Sequence, residues 1–309
     1  MSPVHQEPAG VMLVGEALVD EFHDGPVAGG APFNVARSLA ALGGRAITLV
    51  SRLGADDAAG RLILQSLRRF GLDETGLQVD DELPSGRVTV TEQAGADHAF
   101  TIHGPSAWDA LALAPALARL EALRPRFFYF GSLAQRAEPA RATVQALAER
   151  AGELGAVRYL DLNLREGSSS PELAEQSLRR ADWLKVNEQE LSQLFSWFGA
   201  PAVQNLMARF DLQGLILTRG SAGYVLFNAQ GQVEGEGEGQ VLPALVDTVG
   251  AGDAFSAMLL AALLAGQPIA AALALANRYA AAICGVRGPI PADDGFFTPW
   301  GVASGALSR

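Results

Sequence analysis

The stretch Val246-Asp247-Thr248-Val249-Gly250-Ala251-Gly252-Asp253-Ala254-Phe255 runs out of a β-prone segment into a long Ala/Leu-rich run. Gly250, Ala251 and Gly252 carry almost no side chain, so a bulky anion can approach the backbone. Glycine also takes the positive φ angles that turn successive N–H groups inward. The run 253–264 reads as a helix with Asp253 in its first turn. Unpaired N–H groups and the positive dipole end then face the loop and form a cradle for a phosphate or other oxyanion. Asp253 is stabilised there as a carboxylate and lies where it can accept a proton from an attacking hydroxyl. Taken by itself, an acid in this position is also what an ordinary helix start favours.

The full string from Asp247 to Asp253 resembles the C-terminal signature of the ribokinase-like (PfkB) family of carbohydrate kinases. That resemblance implies an anion hole built from the backbone of Gly250, Ala251 and Gly252, with Asp253 as the base that deprotonates the acceptor hydroxyl. A second match stands near the other end of the chain. Gly15-Glu16-Ala17-Leu18-Val19-Asp20, followed by Gly29-Gly30-Ala31-Pro32-Phe33-Asn34-Val35-Ala36, is similar to the family's N-terminal signature, most of all in its fructokinase-like branch. It implies that Asp20 and Asn34 hydrogen-bond a sugar in a pocket lined by Gly29 and Gly30, with Glu16 among the substrate-contacting residues. From the residues alone, Asn34 reads as the N-cap of a helix running to position 42, or as an amide that both donates to and accepts from a pair of sugar hydroxyls. Asp20 reads as a surface acid at a strand end or as a ligand.

The 309 residues are 49% hydrophobic and 18% charged, the balance of a globular chain able to bury a sizeable core. The count of 23 basic against 34 acidic residues, a net charge of -11, argues against a nucleic-acid or membrane-surface partner. A bound phosphate must then be handled by backbone dipoles, a metal ion and a few Arg or Lys residues. The single Cys284 excludes an intramolecular disulfide and a cysteine zinc cluster. Residues 1–10 read as a loose tail without a secretory leader, and the apolar run 254–265 is too short to span a bilayer, so the expected location is cytoplasmic.

Strand-like runs at 11–14 and 46–50 precede an amphipathic helix at 58–70 that is closed by Gly71. Segments 86–92 and 99–103 alternate as strands around a turn at 94–97, a hairpin that breaks the strand–helix rhythm. In the family this position supplies a small β-sheet lid over the sugar, which here implies lid strands within about 16–28 and 85–104 and a homodimer formed through them. His103 and Trp108 read either as groups near the sugar face or as packing at the base of the lid. Further on, β-runs at 127–130, 157–162, 183–186 and 215–218 are separated by helices at 116–123, 140–154, 172–180, 188–198 and 202–210. This rhythm implies an α/β fold with a mostly parallel sheet flanked by helices on both faces. The resemblance specifies it as a ribokinase-like three-layer sandwich, a single kinase domain over 1–309 that includes the lid.

Ligands of such sheets bind beyond the carboxyl ends of the strands. The polar segments there are Asp161-Leu162-Asn163-Leu164-Arg165, Lys185-Val186-Asn187-Glu188-Gln189-Glu190 and Thr218-Arg219-Gly220-Ser221-Ala222-Gly223. Arg165 can pair with a phosphate through its planar fork. Asn187 and Glu190, one helical turn apart, offer oxygens to Mg²⁺ or to its waters. The turn from Thr218 through Gly220 to Gly223 can hold nucleotide phosphate or ribose, although each of these segments alone also reads as a cap or turn. Each resembles a family element: the Asp-x-Asn-x-Arg strand end, the Asn-x-x-Glu metal motif and the Thr-x-Gly-x-x-Gly nucleotide loop. The resemblance further sets Asn277, on a last core helix at 269–283, against adenine. It also sets a K⁺ ion beside the anion hole through Asp247, Val249 and the segment 284–290. Residues 235–239 read as an exposed turn or edge strand, because no helix follows and the glutamates would repel phosphate.

The expected function is an ATP- and Mg²⁺-dependent sugar kinase acting on fructose or a similar ketohexose. The alternatives are a 2-keto-3-deoxygluconate kinase, a ribokinase, a nucleoside kinase and, outside the enzymes, a sugar-binding regulatory protein of the same fold. No cluster of Arg or Lys between Asp20 and His103 suggests a second phosphate on the acceptor. Two departures from the family pattern are the short segment between Asp20 and Gly29, and the cation Arg219 where a neutral residue is common.

Overall fold

The computed structural model describes residues 10–92, 98–165, 167–240 and 245–301. Most of the expected N-terminal tail and the expected turn at 94–97 lie outside the described residues. Strand β1 (Val11–Val14) is buried along its whole length, as a run of four apolar residues requires when helices cover both sheet faces. The chain then leaves for a smaller sheet through β2 (Leu18–Phe22) and β3 (Gly25–Gly29) and returns through α1 (Ala31–Ala41) to β4 (Ile47–Gly54). Helix α2 (Ala58–Arg69), the edge strand β5 (Leu77–Asp80), and β6 (Gly86–Glu92) with β7 (His98–Ile102) complete the N-terminal part.

A regular alternation follows: α3 (Leu113–Leu123), β8 (Phe127–Phe130), α4 (Ala140–Glu153), β9 (Val157–Asp161), α5 (Pro171–Leu178), β10 (Trp183–Asn187), α6 (Glu188–Phe198), α7 (Val203–Phe210) and β11 (Gly214–Thr218). The chain ends with the hairpin β12 (Tyr224–Asn228) and β13 (Val233–Gly237), then α8 (Ala251–Leu264) and α9 (Ile269–Cys284). The run 235–239 therefore begins on an edge strand, one of its two expected states.

The main sheet has the order β13-β12-β11-β10-β9-β8-β1-β4-β5, parallel from β11 to β5 and antiparallel at β12 and β13. Alternate residues of β1 divide the core. Val11 and Leu13 pack with Phe33 of α1, Ile63 of α2, Met258 of α8 and Leu273 of α9. Met12 and Val14 pack with Leu120, Val144, Leu178, Leu194 and Leu206 of α3 to α7. Three layers result, and α8, buried from Ala254 to Ala262, lies against both α1 and α9. The chain builds outward from β1 to β4 and β5, then restarts at β8 on the other side. A crevice therefore opens at the carboxyl ends of β1 and β8.

The smaller sheet has the order β3-β2-β6-β7, with Leu18, Val88 and Val90 as its own apolar cluster. Helix α1 starts at Ala31, with Pro32 in its first turn and Gly30 (φ +102°) as its cap. Asn34 is therefore inside the helix and is not its N-cap, since Pro is tolerated at a helix start and its fixed φ favours one there. Strands β5 and β12 have no counterpart in the sequence reading. Among the described residues no helix is long and apolar enough to cross a membrane.

Candidate active site

Gly250 caps α8 at φ +79°, and a Cβ there would stand 2.4 Å from the Pro289 Cβ, so both conformation and space require glycine. The helix begins at Ala251, two residues before the sequence reading placed it, and its first i→i−4 bond runs from the Ala254 N–H to the Gly250 carbonyl (2.8 Å). The Ala251 N–H donates to the Thr248 carbonyl (3.2 Å), which leaves the N–H groups of Gly252 and Asp253 without a helical acceptor. Asp247 braces this turn from behind, because Oδ1 accepts from the Val249 N–H (2.9 Å) and Oδ2 from the Gly288 N–H (3.0 Å).

Asp253 is partly buried at the start of α8. Its Oδ2 accepts from Asn34 Nδ2 at 2.7 Å, a bond that joins two helix starts 219 residues apart. Burial pushes this carboxyl up to about 6. The bond from Asn34 opposes that rise, Asp161 adds to it, and Lys185 and Arg165 lower it.

Two more acids lie close by. Glu16, 3% exposed, accepts from the Ala31 N–H at the start of α1 (3.2 Å), and burial pushes it up to about 7. Asp20 sits in the middle of β2 and is buried, so it is not a surface strand-end acid; burial lifts it to about 6, against the pull of Arg165 and Arg37. The glycine pair makes room for these acids as well as for any ligand. A Cβ on Gly29 would fall 2.1 Å from Asp20 Oδ2, and one on Gly30 would fall 2.6 Å from the Glu16 carbonyl oxygen.

Asn34 does not present both ends of its amide. Its Oδ1 accepts from Arg37, one turn further along α1, so only the NH₂ group faces Asp253. Arg165 lies near enough for its positive charge to pull the Glu16, Asp20 and Asp253 carboxyls downward against burial, and its guanidinium stands 5.8 Å from the Phe100 ring centroid.

Beneath the turn from Gly250 to Gly252 is a network to which the sequence reading gave no role. Asp161, at the end of β9, accepts from Lys185 Nζ with both oxygens (2.9 and 2.8 Å), from Tyr129 Oη (3.1 Å) and from Ser256 Oγ (2.9 Å). The Lys185 ammonium reaches the underside of the loop, since a Cβ on Gly252 would lie 3.1 Å from Nζ. The available signal was a charge inside the otherwise apolar run Trp183-Leu184-Lys185-Val186. Arg37, buried in α1, was missed in the same way.

His103 is exposed, and its Nε2 lies 2.8 Å from Thr89 Oγ1 on the smaller sheet. Trp108 is 1% exposed beneath the Arg136 guanidinium (4.0 Å), so of its two readings the structure gives packing. On the other side of the crevice, Thr218 Oγ1 donates to the Val186 carbonyl (3.3 Å), and a tight turn with Gly220 at φ +53° and Gly223 at φ +92° follows. Asn277 Nδ2 donates to the Glu238 carbonyl (2.8 Å).

Asn187 and Glu190 form a capping box at the start of α6. Asn187 Oδ1 accepts from the Glu190 N–H (2.9 Å), Glu190 Oε2 from the Asn187 N–H (2.8 Å), and Glu190 Oε1 from the Leu164 N–H (2.8 Å). Burial raises the Glu190 carboxyl. Among the described residues no group of three or more His, Cys, Asp or Glu side chains is arranged to hold a metal ion.

A family model described as pfkB family carbohydrate kinase matches residues 14–294. The chain belongs to that family. The carbohydrate kinase is 33% identical over 280 residues to the probable fructokinase-3 of Arabidopsis thaliana, with 85% of this chain and 79% of the relative covered. Its fold is ribokinase-like and matches solved sugar kinases. An aminoimidazole riboside kinase from Salmonella enterica, complexed with aminoimidazole riboside and an ATP analog, superposes with a TM-score of 0.76 at 28% identity, covering 94% of this chain and 99% of that one. A fructokinase double mutant from Vibrio cholerae O395, in a form with fructose, ADP and potassium ion, gives 0.78 at 27% identity, covering 92% and 94%.

Proposed function

We propose that this kinase transfers the γ-phosphoryl group of ATP to a hydroxyl of fructose or a similar ketohexose, with Asp253 as the base. The observation that carries the reading is the position of the Asp253 carboxyl. It stands in the first turn of α8, next to open N–H groups, and is hydrogen-bonded to Asn34 from the glycine-rich start of α1. An acceptor hydroxyl held beside Asp20 and Asn34 would meet a proton acceptor on one side and an anion cradle on the other. Alignment and charge neutralisation supply most of phosphoryl-transfer catalysis, and this arrangement offers both.

ATP would lie along the turn after Thr218, with its terminal phosphate over Gly250, Ala251 and Gly252, and Arg165 would add a positive charge on the acid side. Asn277, bonded to the Glu238 carbonyl, would act toward adenine by fixing the segment beside it. Magnesium would arrive bound to the nucleotide phosphates. The amide oxygen of Asn187 and both Glu190 oxygens already accept backbone bonds, so these residues fit a role toward the metal's waters and not direct ligation. Potassium would meet carbonyls of the turn that includes Asp247 and Val249, which is tied to Gly288. The smaller sheet would close over the sugar as a lid within one kinase domain, with His103 at its edge and a partner copy against its outer face.

A nucleoside acceptor is the second reading, favoured by the likeness to the aminoimidazole riboside kinase. ADP release from MgATP, measured across fructose, ribose, glucose, 2-keto-3-deoxygluconate and adenosine with Asp253→Asn in parallel, tests both. Turnover with one acceptor that falls by about 10²–10⁴-fold in the variant supports the reading. Sugar binding without turnover in the folded protein overturns it in favour of a regulatory role.

A further inference from the structure

Arg37 is 4% exposed, and among the described residues no carboxylate lies within ion-pair distance of it. Asp20 and Asp253 act on it only from beyond that distance, so a guanidinium this buried has to be held by other means. Its Nη2 donates to Asn34 Oδ1 and to the Ala28 carbonyl (2.7 Å), Nη1 donates to Ser66 Oγ (3.0 Å), and the group lies 4.4 Å from the Phe33 ring centroid. Nε has no partner. Burial draws this guanidinium down to about 9.

These contacts orient Asn34. A guanidinium can only donate, so the amide oxygen must face Arg37 and the NH₂ group must face Asp253. Asn34 and Arg37 stand at i and i+3 on one face of α1, and the Ala28 carbonyl on β3 meets the same guanidinium. We propose that Arg37 is a positioning residue for the base: it locks the Asn34 amide donor-outward, and through that amide it sets the orientation and acidity of the Asp253 carboxyl group. The catalytic part of this inference rests on the sugar-kinase reading; the part about the Asp253 carboxyl does not.

Asp253 is also faced by Glu16 after β1, Asp20 on β2, Tyr129 on β8, Asp161 on β9, Arg165 beyond it and Lys185 on β10. All of these remain when Arg37 alone is changed. Removing the cation and the lock should make the Asp253 carboxylate harder to form.

The test is a ¹³C titration of the Asp253 carboxyl in the free full-length protein, assigned by its loss in Asp253→Asn, in wild type, Arg37→Met and Arg37→Gln. Both Arg37 variants should titrate at least about half a pH unit higher, roughly a threefold change in the ionisation constant. Glutamine is shorter but neutral and keeps an amide donor, so it carries the test if the Met variant does not fold. In turnover with the active sugar, the ratio of kcat/KM at pH 8 to that at pH 6 should rise about twofold, since the wild-type carboxyl is already about half protonated at pH 6. An unchanged Asp253 titration in a folded variant overturns the proposal, whatever happens to stability. Failure of the kinase reading would appear separately, as absence of sugar-dependent ADP release in the wild type.

Discussion

Lys185→Met removes an ammonium from a pair whose side chains are 8% and 5% exposed, and leaves the Asp161 carboxylate in place. Breaking a buried pair by deleting one partner costs about 3–5 kcal/mol, because the remaining charge is uncompensated. Tyr129 and Ser256 still donate to Asp161 at 3.1 and 2.9 Å, which places the expected loss near the lower end, about 3 kcal/mol. For a chain of this size about 2 °C in Tm accompanies each kcal/mol, so a fall of about 6 °C is expected in thermal melts followed by circular dichroism. The double variant Asp161→Asn/Lys185→Met has no stranded charge and should recover more than half of that loss, as coupled neighbours do. A single variant that melts within about 1 °C of wild type, or a double variant whose losses simply add, would refute the account of this network.

Three further outcomes are expected. Because burial sets Asp253 to about 6, kcat/KM should fall on the acid side with a midpoint near that value; a limb near pH 4, the ordinary range for an aspartate, would mean that burial does not govern it. Glu16 is raised from 4.5 to about 7 on folding, so its contribution to stability is fully present below pH 4.5 and is lost as pH rises through 7. Glu16→Gln stays neutral and can still accept from the Ala31 N–H, so its Tm should exceed that of wild type at pH 8 and match it near pH 4; equal values at pH 8 would contradict the burial of a charge there. Gly250→Ala combines a φ of +79° with a Cβ 2.4 Å from Pro289, and should cost about 3 kcal/mol in urea unfolding together with most of the kcat.

The two signature strings were legible because each is a contiguous answer to a local steric problem. Gly250 must take a left-handed φ beside Pro289, and Gly29 and Gly30 must let the Asp20 carboxyl and the Glu16 carbonyl approach the backbone. Such demands leave a mark within a few residues. The regular alternation from α3 to β11 was legible for the same reason, since hydrophobic period follows from local geometry. What escaped was set by partners far along the chain. Asp161 and Lys185 are 24 residues apart on neighbouring strands, and nothing in either segment says that their charges neutralise each other under a loop at position 252. The start of α1 was misplaced because Asn34 resembles a cap; Pro32 was the better signal, and Asn34 was needed elsewhere.

That displacement has a consequence for how the site works. An N-cap asparagine spends its oxygen on its own helix, whereas Asn34, inside α1, has its oxygen taken by Arg37 and its NH₂ group turned to Asp253. Under the proposed function the base would be oriented from the helix that carries the proposed sugar-side residues, while its own helix would supply open N–H groups for the anion. Helices α1 and α8 pack directly against each other, so in that reading their packing would set the distance between the bound acceptor and the base. Alignment would then rest on a part-buried contact between two helices.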